Sequence, residues 1–131
     1  MVWIELVTVL ALLQLLLFAA LVSRARVKYD VKAPATTGNE IFERYYRVQM
    51  NTIELLIVFL PALWLAGKYW SPYFAALAGV IFLIGRMLYL NGYVKNPGSR
   101  NLGFSLSAIP IIALLVADLA GVIKVFVLTY S

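Results

Sequence analysis

Arg47, Asn51 and Glu54 stand at i, i+4 and i+7, so on a helix a cation, an amide and a carboxylate share one stripe. The stripe lies at the mouth of a long apolar run, Leu55 to Ala66. Ionisable groups at the edge of a hydrocarbon-rich segment are expensive, and they face protein or water and mark function. A second stripe, Arg86, Tyr89 and Tyr93 at i, i+3 and i+7, lies in another apolar run. Arg26 and Arg100 flank the same level. Together these residues offer several cations, a carboxylate, amides from Asn51 and Gln49, and tyrosine hydroxyls. The chemical complement is a small polar ligand with more than one carboxylate and an amine. Arginine pairs with carboxylates bidentately, and Glu54 can hold an ammonium group. A tripeptide such as glutathione has that charge pattern. Its thiol needs a nearby cation to become a thiolate, because an unperturbed thiol titrates at about 8.5.

The same residues also support a purely structural reading. Arg47 and Glu54 neutralise each other, Tyr89 and Tyr93 join an interfacial aromatic belt, and Arg44 and Arg100 anchor lipid headgroups. Spacing alone leaves both readings open. Arg24, Lys28, Lys32 and Lys95 read as solvated topology charges, and Asp118 and Lys124 read as structural.

The elements that must carry these stripes are membrane helices. The chain is 63% hydrophobic and only 13% charged, whereas a soluble domain is nearer half apolar and a quarter charged. About 20 apolar residues cross a bilayer core. Four such runs predict an all-α integral membrane protein, a four-helix bundle in a single domain over residues 1–131. The helices are expected at about 2–26, 42–67, 72–94 and 102–129. The first is an uncleaved span, since Glu5 stands where a signal peptide needs basic residues. Gln14, in mid-span, is expected to face another helix. Pro61 and Pro110 fall inside spans, where neighbouring helices tolerate them. Lys32 to Asn39 has turn chemistry and reads as loop, as does Lys95 to Asn101.

The net charge of +5 is unevenly placed. Arg24, Arg26, Lys28, Lys32, Arg44, Lys95 and Arg100 fall in the first and third connections, against Lys68 and Lys124 on the other side. The positive-inside rule then predicts both basic loops in the cytoplasm and both termini outside, in a multi-pass membrane protein. Both polar stripes lie at the cytoplasmic end. Nucleic acid is a poor partner for charges that flank membrane spans and carry no binding motif. Cysteine and histidine are both absent, which removes thiolate and imidazole metal sites and every Cys-His or Ser-His catalytic pair. No metal is expected. A nucleophile must be brought in by the ligand.

Phe42-Glu43-Arg44-x-Tyr46-Arg47-x-Gln49-x-Asn51-x-x-Glu54, followed by Phe59-Leu60 and Ala62-Leu63-Trp64-x-Ala66-Gly67, closely resembles the MAPEG family, the membrane-associated proteins in eicosanoid and glutathione metabolism. Thr36-Thr37-Gly38 before it, and Arg86-x-x-Tyr89-x-x-Gly92-Tyr93 with Arg100 after it, extend the resemblance over nearly the whole chain. It looks most like the branch of microsomal glutathione transferases and leukotriene-conjugating synthase, and the short termini and tight loops look bacterial, which implies a bacterial inner membrane. The resemblance implies a homotrimer in membrane lipid, with glutathione as co-substrate held between neighbouring subunits near the cytoplasmic face. It implies conjugation to lipophilic electrophiles, with reduction of lipid hydroperoxides as a further activity. Arg26, Arg47, Gln49, Asn51, Glu54, Tyr89 and Tyr93 match glutathione-binding positions of the family. Arg100 matches the arginine that stabilises the thiolate, and Tyr46 and Arg86 match positions lining or supporting the site. The chain departs from the family pattern at Leu55, which stands where the leukotriene-conjugating enzyme has a glutathione-contacting tyrosine, and at Leu88 and Val27, which replace basic residues.

Sharing the site across a subunit boundary would keep its polar groups off lipid. The expected division sets Arg47, Asn51 and Glu54 of one subunit against Tyr89, Tyr93 and Arg100 of its neighbour. Two other functions compete. A lipid-presenting scaffold of the same family would not need Arg100 as a thiolate partner. A small multidrug exporter would centre on an acid embedded in the first helix, where this chain has only Glu5 at the helix start.

Overall fold

Four apolar runs form four long helices, and side chains cap the starts of the middle two. The computed structural model describes residues Met1–Ser131. Helix α1 spans Val2–Tyr29, α2 Glu40–Tyr69, α3 Pro72–Lys95 and α4 Asn101–Tyr130. Each end lies where expected or one to three residues beyond, and each helix is long and apolar enough to cross a membrane. At 1.5 Å per residue, the 30 residues of α2 reach about 45 Å, longer than a hydrocarbon core of about 30 Å. The surplus turns stand in the interfacial zone.

Caps fix the starts of α2 and α3. Asn39 Oδ1 accepts the Phe42 amide at 2.9 Å to begin α2. Ser71 Oγ accepts the Tyr73 amide at 3.2 Å to begin α3, and Pro72 occupies the first helical turn, where its missing N–H costs nothing. The last connection is shorter and more ordered than a loop. Asn96 Oδ1 accepts the Gly98 amide at 3.1 Å, and Pro97–Arg100 makes a single 3₁₀ turn that leads into α4.

Packing is densest in the half of the bundle away from the two basic connections. Ile4, Val7 and Ala11 of α1, spaced about a turn apart, meet Phe59, Leu63 and Ala66 of α2 and Ala75, Ala78 and Phe82 of α3. The rings of Phe59 and Phe82 stack with centroids 4.0 Å apart. As expected for a mid-span amide, Gln14 turns to another helix: its Nε2 donates to Leu83 O of α3 at 2.9 Å.

Helices α3 and α4 approach closely because two glycines remove side chains from their contact. A Cβ on Gly103 would run into the main-chain nitrogen of Tyr89, and one on Gly85 would lie 2.7 Å from Ser107 N. This backbone-to-backbone contact is the small-residue packing that replaces hydrophobic drive inside a membrane. It also sets Tyr89 and Ser107 at fixed heights beside each other.

Candidate active site

The end of the bundle that holds the two basic connections contains a cleft of about 540 Å³. Three elements and a turn supply its walls. Arg47 and Asn51 come from α2, Tyr89 and Tyr93 from α3, Arg100 from the 3₁₀ turn, and Asn101 and Phe104 from the first turn of α4. The α3–α4 hairpin folds Arg100 back towards α2, so five of the anticipated residues meet within one chain. The expected division set these residues in two subunits; within one chain Arg47 and Asn51 already face Tyr89, Tyr93 and Arg100. The close helix contact at Gly103, which spacing did not reveal, is what closes the cleft locally.

Tyr89 and Tyr93 stack with centroids 5.4 Å apart, and Phe104 lies 6.4 Å from Tyr89. The aromatic wall thus faces the polar stripe of α2. Glu54 is not in the lining of the cleft but is tied to it: its Oε1 pairs with Arg47 Nη1 at 3.3 Å while both side chains remain about half exposed, 55% and 50%. Exposed pairs contribute about 0–1 kcal/mol, so this pair is a poor device for holding the fold and a ready one for exchange with a ligand. Arg100 is exposed and makes no ion pair or hydrogen bond within the chain.

A smaller compartment of about 380 Å³ shares Arg47 and Tyr93 with the cleft, and Tyr46, Glu40, Glu43 and Arg44 stand on its walls. Arg44 is no headgroup anchor here. Its Nη1 donates to Val94 O at 3.0 Å and its Nη2 meets Glu40 Oε1 at 2.7 Å, so the guanidinium caps the carbonyl end of α3 and ties it to α2.

Arg86 lies beneath the cleft with none of its surface exposed. Its Nε donates to Ser107 Oγ at 2.8 Å, and its Nη1 donates to Asn51 Oδ1 at 2.7 Å and Thr52 Oγ1 at 3.3 Å. The Tyr89 ring covers the guanidinium, 4.4 Å from Cζ to ring centre. Burying an ion costs several kcal/mol unless hydrogen bonds replace its water. The two hydroxyls are well suited to this. Thr52 Oγ1 gives its own proton to Val48 O at 2.8 Å and Ser107 Oγ to Gly103 O at 2.7 Å, so each presents only lone pairs to the arginine.

Two anticipated residues stand apart from the cleft. Arg26 donates from Nη1 to Ala35 O at 2.7 Å and lies over the Phe42 ring at 4.8 Å, stapling the first basic connection to α2. Gln49 is half-buried on α2 and does not line the cleft. It follows Arg47 by two positions, about 200° round the helix. Asp118 is buried in α4 with no hydrogen-bond partner at either carboxylate oxygen.

Asn101 and Phe104 were not anticipated. Their signal was present: Phe104 follows Arg100 by four positions, one turn along a helix that begins at residue 101. Thr52 and Ser107 were missed as well: Thr52 directly follows Asn51 in the polar stretch before Leu55, and Ser107 lies two residues after Ser105.

The MAPEG family model matches residues 4–120. An uncharacterized protein of Synechocystis sp. is 46% identical over 121 residues, covering 92% of this chain and 88% of the relative. Microsomal glutathione S-transferase 2 of Homo sapiens is 42% identical over 109 residues, 83% of this chain and 74% of the relative. Leukotriene C4 synthase of Cavia porcellus is 42% identical over 94 residues, 72% of this chain and 63% of the relative. The Synechocystis relative agrees with the bacterial character expected above.

Proposed function

The chain belongs to the MAPEG family, and from that premise we propose that it is an integral membrane glutathione transferase that joins the glutathione sulfur to lipophilic electrophiles. The observation that carries this reading is the convergence of Arg47, Asn51, Tyr89, Tyr93 and Arg100 on one cleft at one end of four membrane-spanning helices. Relatives named as glutathione S-transferase and leukotriene C4 synthase support the same chemistry.

In this reading Arg47, Asn51 and Glu54 hold the peptide part of glutathione and set its orientation. Arg100 faces the sulfur. A guanidinium stays charged at neutral pH and cannot take a proton, so Arg100 acts electrostatically: it favours the thiolate and the proton leaves to water. The thiolate attacks the electrophilic carbon, a carbon–sulfur bond forms, and a leaving group such as chloride departs. Phe104, 43% exposed, gives the cleft an apolar edge for an acceptor arriving from lipid.

The reading extends to a homotrimer. Arg26 and Gln49, which stand outside the cleft of their own chain, then serve the cleft of a neighbour, with Arg26 exchanging its bond to Ala35 O for one to the ligand. Native mass spectrometry in mild detergent should give three chains per particle, and a monomer or dimer would count against it. The reaction itself is tested with purified protein, glutathione and 1-chloro-2,4-dinitrobenzene, following the thioether product. No turnover above the uncatalysed rate overturns the enzyme reading and leaves the lipid-binding scaffold. Cumene hydroperoxide is the second acceptor to measure, since the same thiolate can attack a peroxide oxygen.

A further inference from the structure

Asn51 has one face in the cleft and one bond beneath it, and that bond decides what it can offer a ligand. Its Oδ1 accepts from Arg86 Nη1 at 2.7 Å. Arginine has five donors and no acceptor, so the amide oxygen must face it and the amide nitrogen must face away. The reverse flip would set an N–H₂ group against a buried cation. Arg86 cannot swing aside to permit that flip. It is fully buried, its Nε is held by Ser107, its Nη1 also reaches Thr52, and the Tyr89 ring covers it. The Asn51 Nδ2 group has no acceptor within the chain, and Asn51 lines the cleft.

We propose that Arg86 is a positioning residue that fixes Asn51 as an obligatory hydrogen-bond donor, so that the cleft accepts a thiol peptide only where it sets a carbonyl or carboxylate oxygen against Asn51. The inference rests on the glutathione reading above and adds the polarity of one contact and its cause. Arg86 touches no ligand and acts through Asn51. Its charge adds to the same preference. Neither of the chain's two ion pairs includes Arg86. With Arg47 and Arg100 against Glu54, the cleft and its floor therefore carry a surplus of two positive charges. Glutathione in its thiolate form, with two carboxylates, one ammonium and one thiolate, carries the matching surplus of negative charge.

The decisive variant is Asn51→Asp. A carboxylate beside Arg86 keeps the buried contact as an ion pair but has no proton to donate at neutral pH. The dissociation constant for glutathione, measured by calorimetry on the detergent-solubilised full chain, should rise about tenfold or more. The thermal unfolding midpoint without ligand should stay level or rise. Arg86→Gln should also weaken binding, because glutamine has an acceptor and lets Asn51 turn over, whereas Arg86→Lys, a pure donor, should restore most of the affinity. The losses from Arg86→Gln and Asn51→Ala should not multiply in the double variant, since they remove one contact. Wild-type affinity in Asn51→Asp, or full multiplication in the double variant, overturns the proposal while the wild-type chain still binds glutathione. A wild-type chain with no saturable glutathione binding overturns the glutathione reading, and this inference with it.

Discussion

Arg47 Nη1 lies 3.3 Å from Glu54 Oε1, two helical turns along one face of α2, and both groups remain half open to the medium. The pair places opposite charges side by side at the rim of the cleft, which suits a zwitterionic ligand better than it suits a fold. Glu54→Ala and Arg47→Ala should therefore leave the unfolding midpoint nearly unchanged, since an exposed pair is worth about 0–1 kcal/mol. Each should raise the glutathione dissociation constant about 10- to 100-fold, the loss of one charged hydrogen bond. Calorimetry and a thermal scan on the same preparations check both halves. A large fall in stability with unchanged affinity would return the pair to a structural role.

Gly103 makes a prediction of the opposite kind. Its added Cβ would meet the main chain of Tyr89 and come within 2.8 Å of Leu88 C. Backbone cannot yield as a flexible side chain can, so Gly103→Ala should part α3 from α4 at the level of the cleft. Overpacking of this sort costs about 1–3 kcal/mol. The unfolding midpoint should fall, and glutathione affinity with it, because Tyr89 stands on the displaced segment. Wild-type values for both would show that the contact is looser than described.

The two polar stripes were legible because helical period alone puts Arg47, Asn51 and Glu54, or Arg86, Tyr89 and Tyr93, on one face. The four spans were legible from run length. What each stripe faces was not, because that depends on how closely two helices approach. Gly85 and Gly103 set that distance, and they bring Ser107 to Arg86 and Arg100 to the α2 stripe. Hence spacing alone did not reveal that five of the site residues already meet within one chain. The surroundings of Arg26 were hidden for a related reason. A cation near the end of α1 can reach a neighbour or its own following loop, and only the path of that loop puts Ala35 O within 2.7 Å.

Orientation in the membrane follows from the basic connections. With seven lysines and arginines on the side of the cleft, the loop between α1 and α2 should face the cytoplasm. The chain has no cysteine, so one introduced residue reports alone. An impermeant thiol reagent added to intact cells should label Ser71→Cys and spare Lys32→Cys. The reverse pattern would put the cleft on the outer face.

Arg100 carries the last prediction, which turns on pH. It lines the cleft and has no partner in the chain, so its charge is available to the ligand sulfur. The thiolate is the reactive form. A cation within about 4–6 Å lowers a thiol pKa by about 1–3 units from a reference of about 8.5. The bound thiol of the wild-type protein should then be largely ionised at neutral pH. Removing the cation raises that pKa, so thiolate is lost first on the acid side. Arg100→Ala should keep binding glutathione, lose the thiolate ultraviolet absorbance near pH 7, and regain it as the pH passes about 8.5. Turnover should follow the same curve, with the deficit greatest at pH 6–7, about 10- to 1,000-fold by the size of the shift, and much smaller at pH 9. An Arg100→Ala protein with the wild-type pH profile would remove Arg100 from this role and make Arg26→Ala and Tyr93→Phe the next variants to titrate.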